Sequence, residues 1–171
     1  MPRIDPESLG EGGENICAFL DMLAYAEGTT LFGGEDGYNV LVGGKTFDSY
    51  ADHPRIYVKL SFRPRAPTLA TPKEKITLTS SAAGRYQFLA RTWDALKAKL
   101  ALKDFGPLSQ DKAAIQLIRE RKALLDVRTG DIRTAIGKCR NIWASLPGAG
   151  YGQREHKLAD LLREYSKAGG M

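Results

Sequence analysis

Histidine and cysteine are scarce in this chain, with two of each among 171 residues. His53 and His156 lie far apart in sequence, and neither has a cysteine partner at zinc-ligand spacing. A metallopeptidase site is therefore not expected. Cys17 and Cys139 sit in apolar, helix-patterned stretches and read as buried free thiols. That fits synthesis in a reducing compartment. No apolar run approaches the roughly 20 residues needed to span a bilayer. The opening Met1-Pro2-Arg3-Ile4-Asp5-Pro6 holds no apolar core segment, so a signal peptide is not expected. Low-complexity tracts are missing too. With 43% hydrophobic and 26% charged residues, the composition is that of a soluble folded domain with one core, too short for two full-sized domains.

Acidic charge is in deficit. The net charge is +5 and the pI about 9.2, which favours a polyanionic partner: nucleic acid, a membrane surface or an anionic cell wall. Yet the Lys and Arg residues are spread along the chain and no nucleic-acid-binding motif occurs, so neither nucleic acid nor stable membrane association is expected.

Against this background one acid stands out. Residues from Ile16 to Glu27 read as a helix, with Gly28 placed to stop it. At about 100° per residue, Ile16, Leu20, Leu23 and Glu27 fall within roughly 40° of one another on one face, while Asp21 points to the opposite side. Glu27 thus continues an apolar stripe into the last turn, where the helix dipole is negative. Burial and the dipole both disfavour a carboxylate and raise its pKa. A carboxyl kept protonated near neutrality suits a general acid. The competing reading is a Glu that snorkels to solvent at a frayed helix end.

The rest of the chain divides by pattern. Residues 1–14, rich in Pro, Gly and Glu, are expected as a loose, flexible arm ahead of a single domain over 15–171. Tyr38-Asn39-Val40-Leu41-Val42, then Gly43-Gly44, then Lys45-Thr46-Phe47 reads as a β-hairpin. Ile56–Leu60 and Ile76–Thr79 are further candidate strands. The segment between them carries Pro64, Pro67 and Pro72 with the basic residues Arg63, Arg65, Lys73 and Lys75. From Ser81 onward the periodicity is helical. Leu89, Trp93, Leu96 and Leu100 are spaced as a core-facing stripe, Ser109 is a candidate cap for a helix through Ile115 and Ile118, and Asp131 caps one running through Trp143 to Pro147. A final helix carries Leu158, Leu161, Leu162 and Tyr165, with Gly169 beyond it. This is an α+β pattern: a small β lobe over about 37–80, a larger helical lobe over about 81–168, and a cleft between them as the natural ligand site.

Two further segments combine recognition chemistry with small residues. Gly84-Arg85-Tyr86-Gln87 follows a run of Ser and Ala and supplies a forked donor, an aromatic plate and an amide, a set suited to sugar hydroxyls. An ordinary helix start, with Tyr86 in the core, is the plainer alternative. Ser145 to Gln153 is a glycine-dense loop carrying Tyr151 and Gln153, which alone reads equally as a connector.

Together these residues resemble the phage lambda-type endolysin family, also called the lambda lysozyme family. The resemblance rests on Ala18-Phe19-Leu20-Asp21-Met22-Leu23-Ala24 leading to Glu27-Gly28-Thr29, on Gly37-Tyr38 with Val42-Gly43-Gly44, and on Asp52-His53-Pro54-Arg55. Gly84-Arg85-Tyr86-Gln87 and the long run from Asn141 to Gln153 complete it, over about residues 16–170. The resemblance implies a lysozyme-like fold and cleavage of peptidoglycan between N-acetylmuramic acid and N-acetylglucosamine. It further implies lytic transglycosylation, leaving 1,6-anhydro-muramoyl ends without metal or cofactor. Glu27 would be catalytic, and Tyr38, Asn39, Arg85, Tyr86, Gln87, Lys138, Tyr151 and Gln153 would bind the glycan. A monomer is expected, made in the host cytoplasm and reaching the periplasmic wall after holin-mediated release.

A hydrolase needs a second carboxylate to activate water or act as nucleophile. If the muramoyl C6 hydroxyl attacks instead, Glu27 alone can donate a proton and then recover one. Glu35, Asp36, Asp48 and Asp52 are the candidate second acids, with Asp52 expected to be structural. The chain departs from the family at Asn39, where Asp is usual, and at Lys138, where Arg stands in the type member and a bidentate contact would be lost. Its segment from Ser61 to Thr79 is also longer; its basic residues read as a lid over the glycan, the favoured reading, or as a solvated loop. A hydrolytic muramidase on the same bond is the alternative, followed by a non-enzymatic basic binding module.

Overall fold

Residues Gly13–Ala26 form helix α1, apolar almost all round and buried accordingly: Ile16, Phe19, Leu20, Met22 and Leu23 have no exposed surface. Such a helix belongs in the centre of a bundle. The computed structural model describes residues 1–32, 35–62, 76–150 and 155–171. Around α1 lie α2 (Ala90–Leu100), α3 (Pro107–Glu120), α4 (Leu124–Arg128), α5 (Ile132–Cys139) and α6 (Leu158–Lys167). Helices α3, α4 and α6 pack on it directly. Gly28 ends α1 in the left-handed region (φ 70°), where a side chain on the Cβ would be strained. Thr29–Leu31 then turns once as a 3-10 helix.

Strands β1 (Val58–Phe62) and β2 (Ile76–Ser80) form a two-stranded antiparallel sheet, with Val58 opposite Ser80 and Leu60 opposite Leu78. The hairpin expected at Tyr38–Phe47 is reduced to a single bridge, Val40 to Thr46. Its residues divide their hydrogen bonds between two partners. Leu41 N donates to Lys45 O, whereas Val42 N donates to Ala82 O and Val40 O accepts from Gly84 N. The turn is thereby tied to the chain entering the helical lobe. The result is the expected α+β architecture, a small β part against a larger helical body.

Several element ends differ from expectation. The N-terminal segment is not loose. Ile4 is buried, Arg3 N and Ile4 N donate to the Asp111 carboxyl at 2.7 and 2.9 Å, and the Arg128 guanidinium clasps the carbonyls of Leu9 and Glu11. Leu89 is half exposed because it is the N-cap of α2, and Phe88 and Trp93 take the core positions. Ser109 does not cap α3. Gly106 and Pro107 start that helix, and the Ser109 hydroxyl donates to Asp104 Oδ1 at 2.8 Å. Asp131 does cap α5, accepting from Thr134 N at 3.3 Å. That helix ends at Cys139, after which turns carry Ile142 and the buried Trp143. Cys17 and Cys139 are buried free thiols.

Candidate active site

The last turn of α1 places Glu27 at the helix C-cap, its backbone N–H donating to Leu23 O at 2.9 Å. Glu27 keeps part of its surface open, but burial strips water from the carboxyl and pushes its pKa from 4.5 to about 7. Among the described residues one polar contact opposes that effect: Ser145 Oγ donates to Glu27 Oε1 at 2.6 Å. A hydroxyl carries no formal charge, so the carboxyl remains able to take up a proton near neutrality. The snorkelling alternative is not what the geometry gives.

Ser145 comes from the glycine-rich loop, whose described part is clamped by Glu155. That carboxylate accepts from Gly148 N and Gly150 N at 2.8 Å each. Sequence reasoning singled out the loop for Tyr151 and Gln153 and passed over Ser145. Its position three residues before a glycine cluster gave no cue, because the meeting with Glu27 spans 118 positions. Tyr151 and Gln153 lie outside the described residues, as does most of the expected lid between Ser61 and Thr79.

The other predicted glycan ligands are placed differently from expectation. Tyr38, Arg85 and Tyr86 are interior groups, each at most 1% exposed. Tyr38 and Tyr86 donate their hydroxyls to Asp111 Oδ1 at 2.7 and 2.6 Å. The Arg85 guanidinium donates to Asp21 and to the Asp36 carbonyl, and its cation lies 5.2 Å from the centre of the Tyr38 ring. Asp21, on the side of α1 opposite the Glu27 stripe, is therefore the partner of a buried cation. These three side chains, expected as direct glycan ligands, spend their polar groups on partners inside the fold. Gln87 turns its amide inward to Gly84 O and Val40 O at 2.9 and 3.2 Å. Lys138 is spent on Asp126 Oδ2 at 2.6 Å and Lys122 O at 3.1 Å. Asn39 is partly exposed, with its Oδ1 buried and unpartnered among the described residues.

The buried set has one geometric requirement, at Gly84. Its φ is +81°, and a Cβ there would run into the Gln110 amide and lie 3.0 Å from the Phe105 ring. Gln110 in turn holds Arg85 N, Tyr38 O and Phe105 O at 2.7–3.0 Å. The motif is thus a keystone beneath the site.

The candidate second acids are occupied or open to solvent. Glu35 accepts from the Tyr50 hydroxyl at 2.5 Å and Asp36 pairs with Arg3 at 3.1 Å. Asp48 is exposed. Asp52 accepts from Lys97, Arg55 and Trp93 Nε1 at 3.0–3.2 Å. Although its partial burial opposes them, those donors hold the Asp52 carboxyl well below the usual range.

A profile of the endolysin family matches residues 17–171, which contain Glu27, Ser145 and the Gly84 keystone. The chain belongs to the endolysin family. The endolysin of Escherichia phage lambda is 52% identical over 156 residues, covering 90% of each chain. That of Escherichia phage P2 is 51% identical over 165 residues, covering 92% of this chain and 94% of its own. The fold also matches the structure of bacteriophage lambda lysozyme complexed with a chitohexasaccharide, with TM-score 0.80 and 48% identity over all of this chain and 99% of that one. An endolysin is a peptidoglycan-degrading enzyme, and this one has the lysozyme-like fold. Among its described residues no helix is long and apolar enough to cross a membrane.

Proposed function

We propose that this endolysin cleaves the β-1,4 bond between N-acetylmuramic acid and N-acetylglucosamine by lytic transglycosylation, with Glu27 as both acid and base. The protonated Glu27 gives its proton to the glycosidic oxygen as that bond breaks at muramoyl C1. The C6 hydroxyl oxygen of the same muramoyl residue bonds to C1, and its proton passes to the Glu27 carboxylate. The products are a glycan with a free hydroxyl and a 1,6-anhydro-muramoyl end. No water is consumed, and the enzyme returns to its starting state. No metal or cofactor is needed in this sequence.

The observation that carries the reading is the Glu27 carboxyl itself, shielded, raised to about 7 by burial and touched by a neutral hydroxyl. It is protonated often enough to act as acid and ionised often enough to act as base at neutral pH. Support for the intramolecular nucleophile comes from the other acids. Glu35, Asp36 and Asp52 are engaged elsewhere and Asp48 is exposed, and Asn39 has no charge to lend. The chitohexasaccharide in the related lambda structure is consistent with a glycan in the equivalent cleft here. Asn39, Tyr151 and Gln153 remain the proposed direct contacts with it. Tyr38, Arg85, Tyr86 and Gln87 shape its floor from beneath. The monomer acts on the periplasmic wall after leaving the host cytoplasm through a holin lesion.

Glu27→Gln tests the assignment, since the amide keeps the volume and cannot donate the proton. Solubilisation of purified peptidoglycan should fall at least about 100-fold, the lower bound usual for a lost general acid, with the circular dichroism spectrum unchanged. A folded variant that keeps a tenth of the wild-type rate would overturn it.

A further inference from the structure

The contact between Ser145 and Glu27 is held by its surroundings and not merely permitted by them. Ser145 O accepts from His156 N at 2.9 Å, and the His156 ring lies 5.2 Å from that of Tyr25. Tyr25 stands two residues before Glu27 at the same end of α1. Glu155, next to His156, binds the amides of Gly148 and Gly150. The described part of the loop is thus pinned at Ser145 itself and just beyond it, and the Ser145 hydroxyl is delivered to the carboxyl at 2.6 Å.

We propose that Ser145 is a positioning residue for Glu27: its hydroxyl fixes the orientation of the carboxyl and stabilises the carboxylate that exists between the two proton transfers. The proposal rests on the reading of Glu27 as acid and base. A glutamate carboxyl turns about three side-chain bonds, and one directional contact selects the rotamer that faces the substrate. A hydrogen bond to an ionised acceptor is stronger than one to a neutral acceptor, so the Ser145 donor favours the carboxylate. Arg or Lys in that place would do so with a full charge and leave Glu27 ionised at rest. A hydroxyl keeps both states within reach and loses no proton of its own.

Among the described residues, the other titratable groups on the packed elements are engaged elsewhere. Asp21 is paired with Arg85, Tyr25 lies against His156, and Glu155 is taken by the loop amides. Burial raises the Glu27 pKa and the Ser145 bond lowers it, with no charged neighbour contributing among the described residues. Removing the hydroxyl therefore moves the pKa upward.

The test is the pH dependence of kcat and KM between pH 5 and 9 on purified peptidoglycan, for the wild type, Ser145→Ala, Ser145→Cys and Ser145→Thr. In Ser145→Ala, kcat should fall about tenfold to a hundredfold, the effect of one hydrogen bond to a charged group. KM should change little and the alkaline limb should move to higher pH. Ser145→Thr should restore both kcat and the limb. Should alanine disturb the fold, the near-isosteric Ser145→Cys, a weak donor, must give the same two changes. Wild-type kcat with an unmoved alkaline limb, in folded Ser145→Ala or Ser145→Cys, overturns the positioning role. Turnover by Glu27→Gln in the same assay would instead overturn the acid itself, so the two failures are distinct.

Discussion

Asp111 accepts the hydroxyl of Tyr86 at 2.6 Å in a place where neither residue meets solvent. The same carboxyl takes the Tyr38 hydroxyl and the amides of Arg3 and Ile4, so one acid ties the N-terminal segment, the β part and α3 together. The glycan-recognition chemistry expected of Tyr86 is used for construction. Asp111→Asn turns an NH2 toward two of these donors and should destabilise the fold by about 3–5 kcal/mol, while Tyr86→Phe should cost about 1–2 kcal/mol. Chemical denaturation of the two variants measures both. If Asp111→Asn were near neutral, the cluster would not be holding the segment.

Glu27 makes stability depend on pH in a direction opposite to most carboxyls. Its pKa lies near 7 in the fold against 4.5 for an exposed glutamate, so the folded protein holds this proton more tightly than the unfolded chain. The contribution is complete below about pH 4.5 and is lost as pH rises through about 7, with a span of about 3 kcal/mol. Glu27→Gln removes it. The melting temperature of the variant relative to wild type should therefore rise between pH 4.5 and 7 and level off above. A difference that is flat over this range would mean that Glu27 titrates normally.

The sequence carried the placement of Glu27 because the helical period makes a strong statement when an acid interrupts an apolar stripe, and α1 is long and regular. It carried the β1–β2 region and the capping role of Asp131 for the same local reasons. It could not reveal that Arg85 and Tyr86 face inward. Their residue types serve sugar binding and buried networks equally, and the choice is made by Asp21 and Asp111, 64 and 25 positions away. The N-terminal segment misled in the same way, since its Pro and Gly content speaks of turns, while its anchors are Asp111 and Arg128 on distant helices. Ser145 was illegible for the converse reason, as a lone serine near glycines has no local signature of a partner 118 residues away.

The four remaining acids of the β side supply a further prediction. Alanine at Glu35, Asp36, Asp48 or Asp52 should leave kcat on peptidoglycan within a few-fold of wild type, because none is asked to activate water. Asp52→Ala should lower the melting temperature, having left Lys97 and Trp93 Nε1 without this acceptor and Arg55 with Asp94 in place of two carboxylates. A folded variant at any of the four as inactive as Glu27→Gln would identify a second catalytic carboxylate.

The most direct test is the mass of the muropeptides released from purified peptidoglycan by the wild-type enzyme. Attack by the muramoyl C6 hydroxyl predicts products about 18 Da lighter than hydrolysis would give, with 1,6-anhydro ends that resist borohydride reduction, because no water enters the balance set by a single acid–base residue. Products dominated by reducible muramic ends would contradict that account and establish this endolysin as a hydrolytic muramidase.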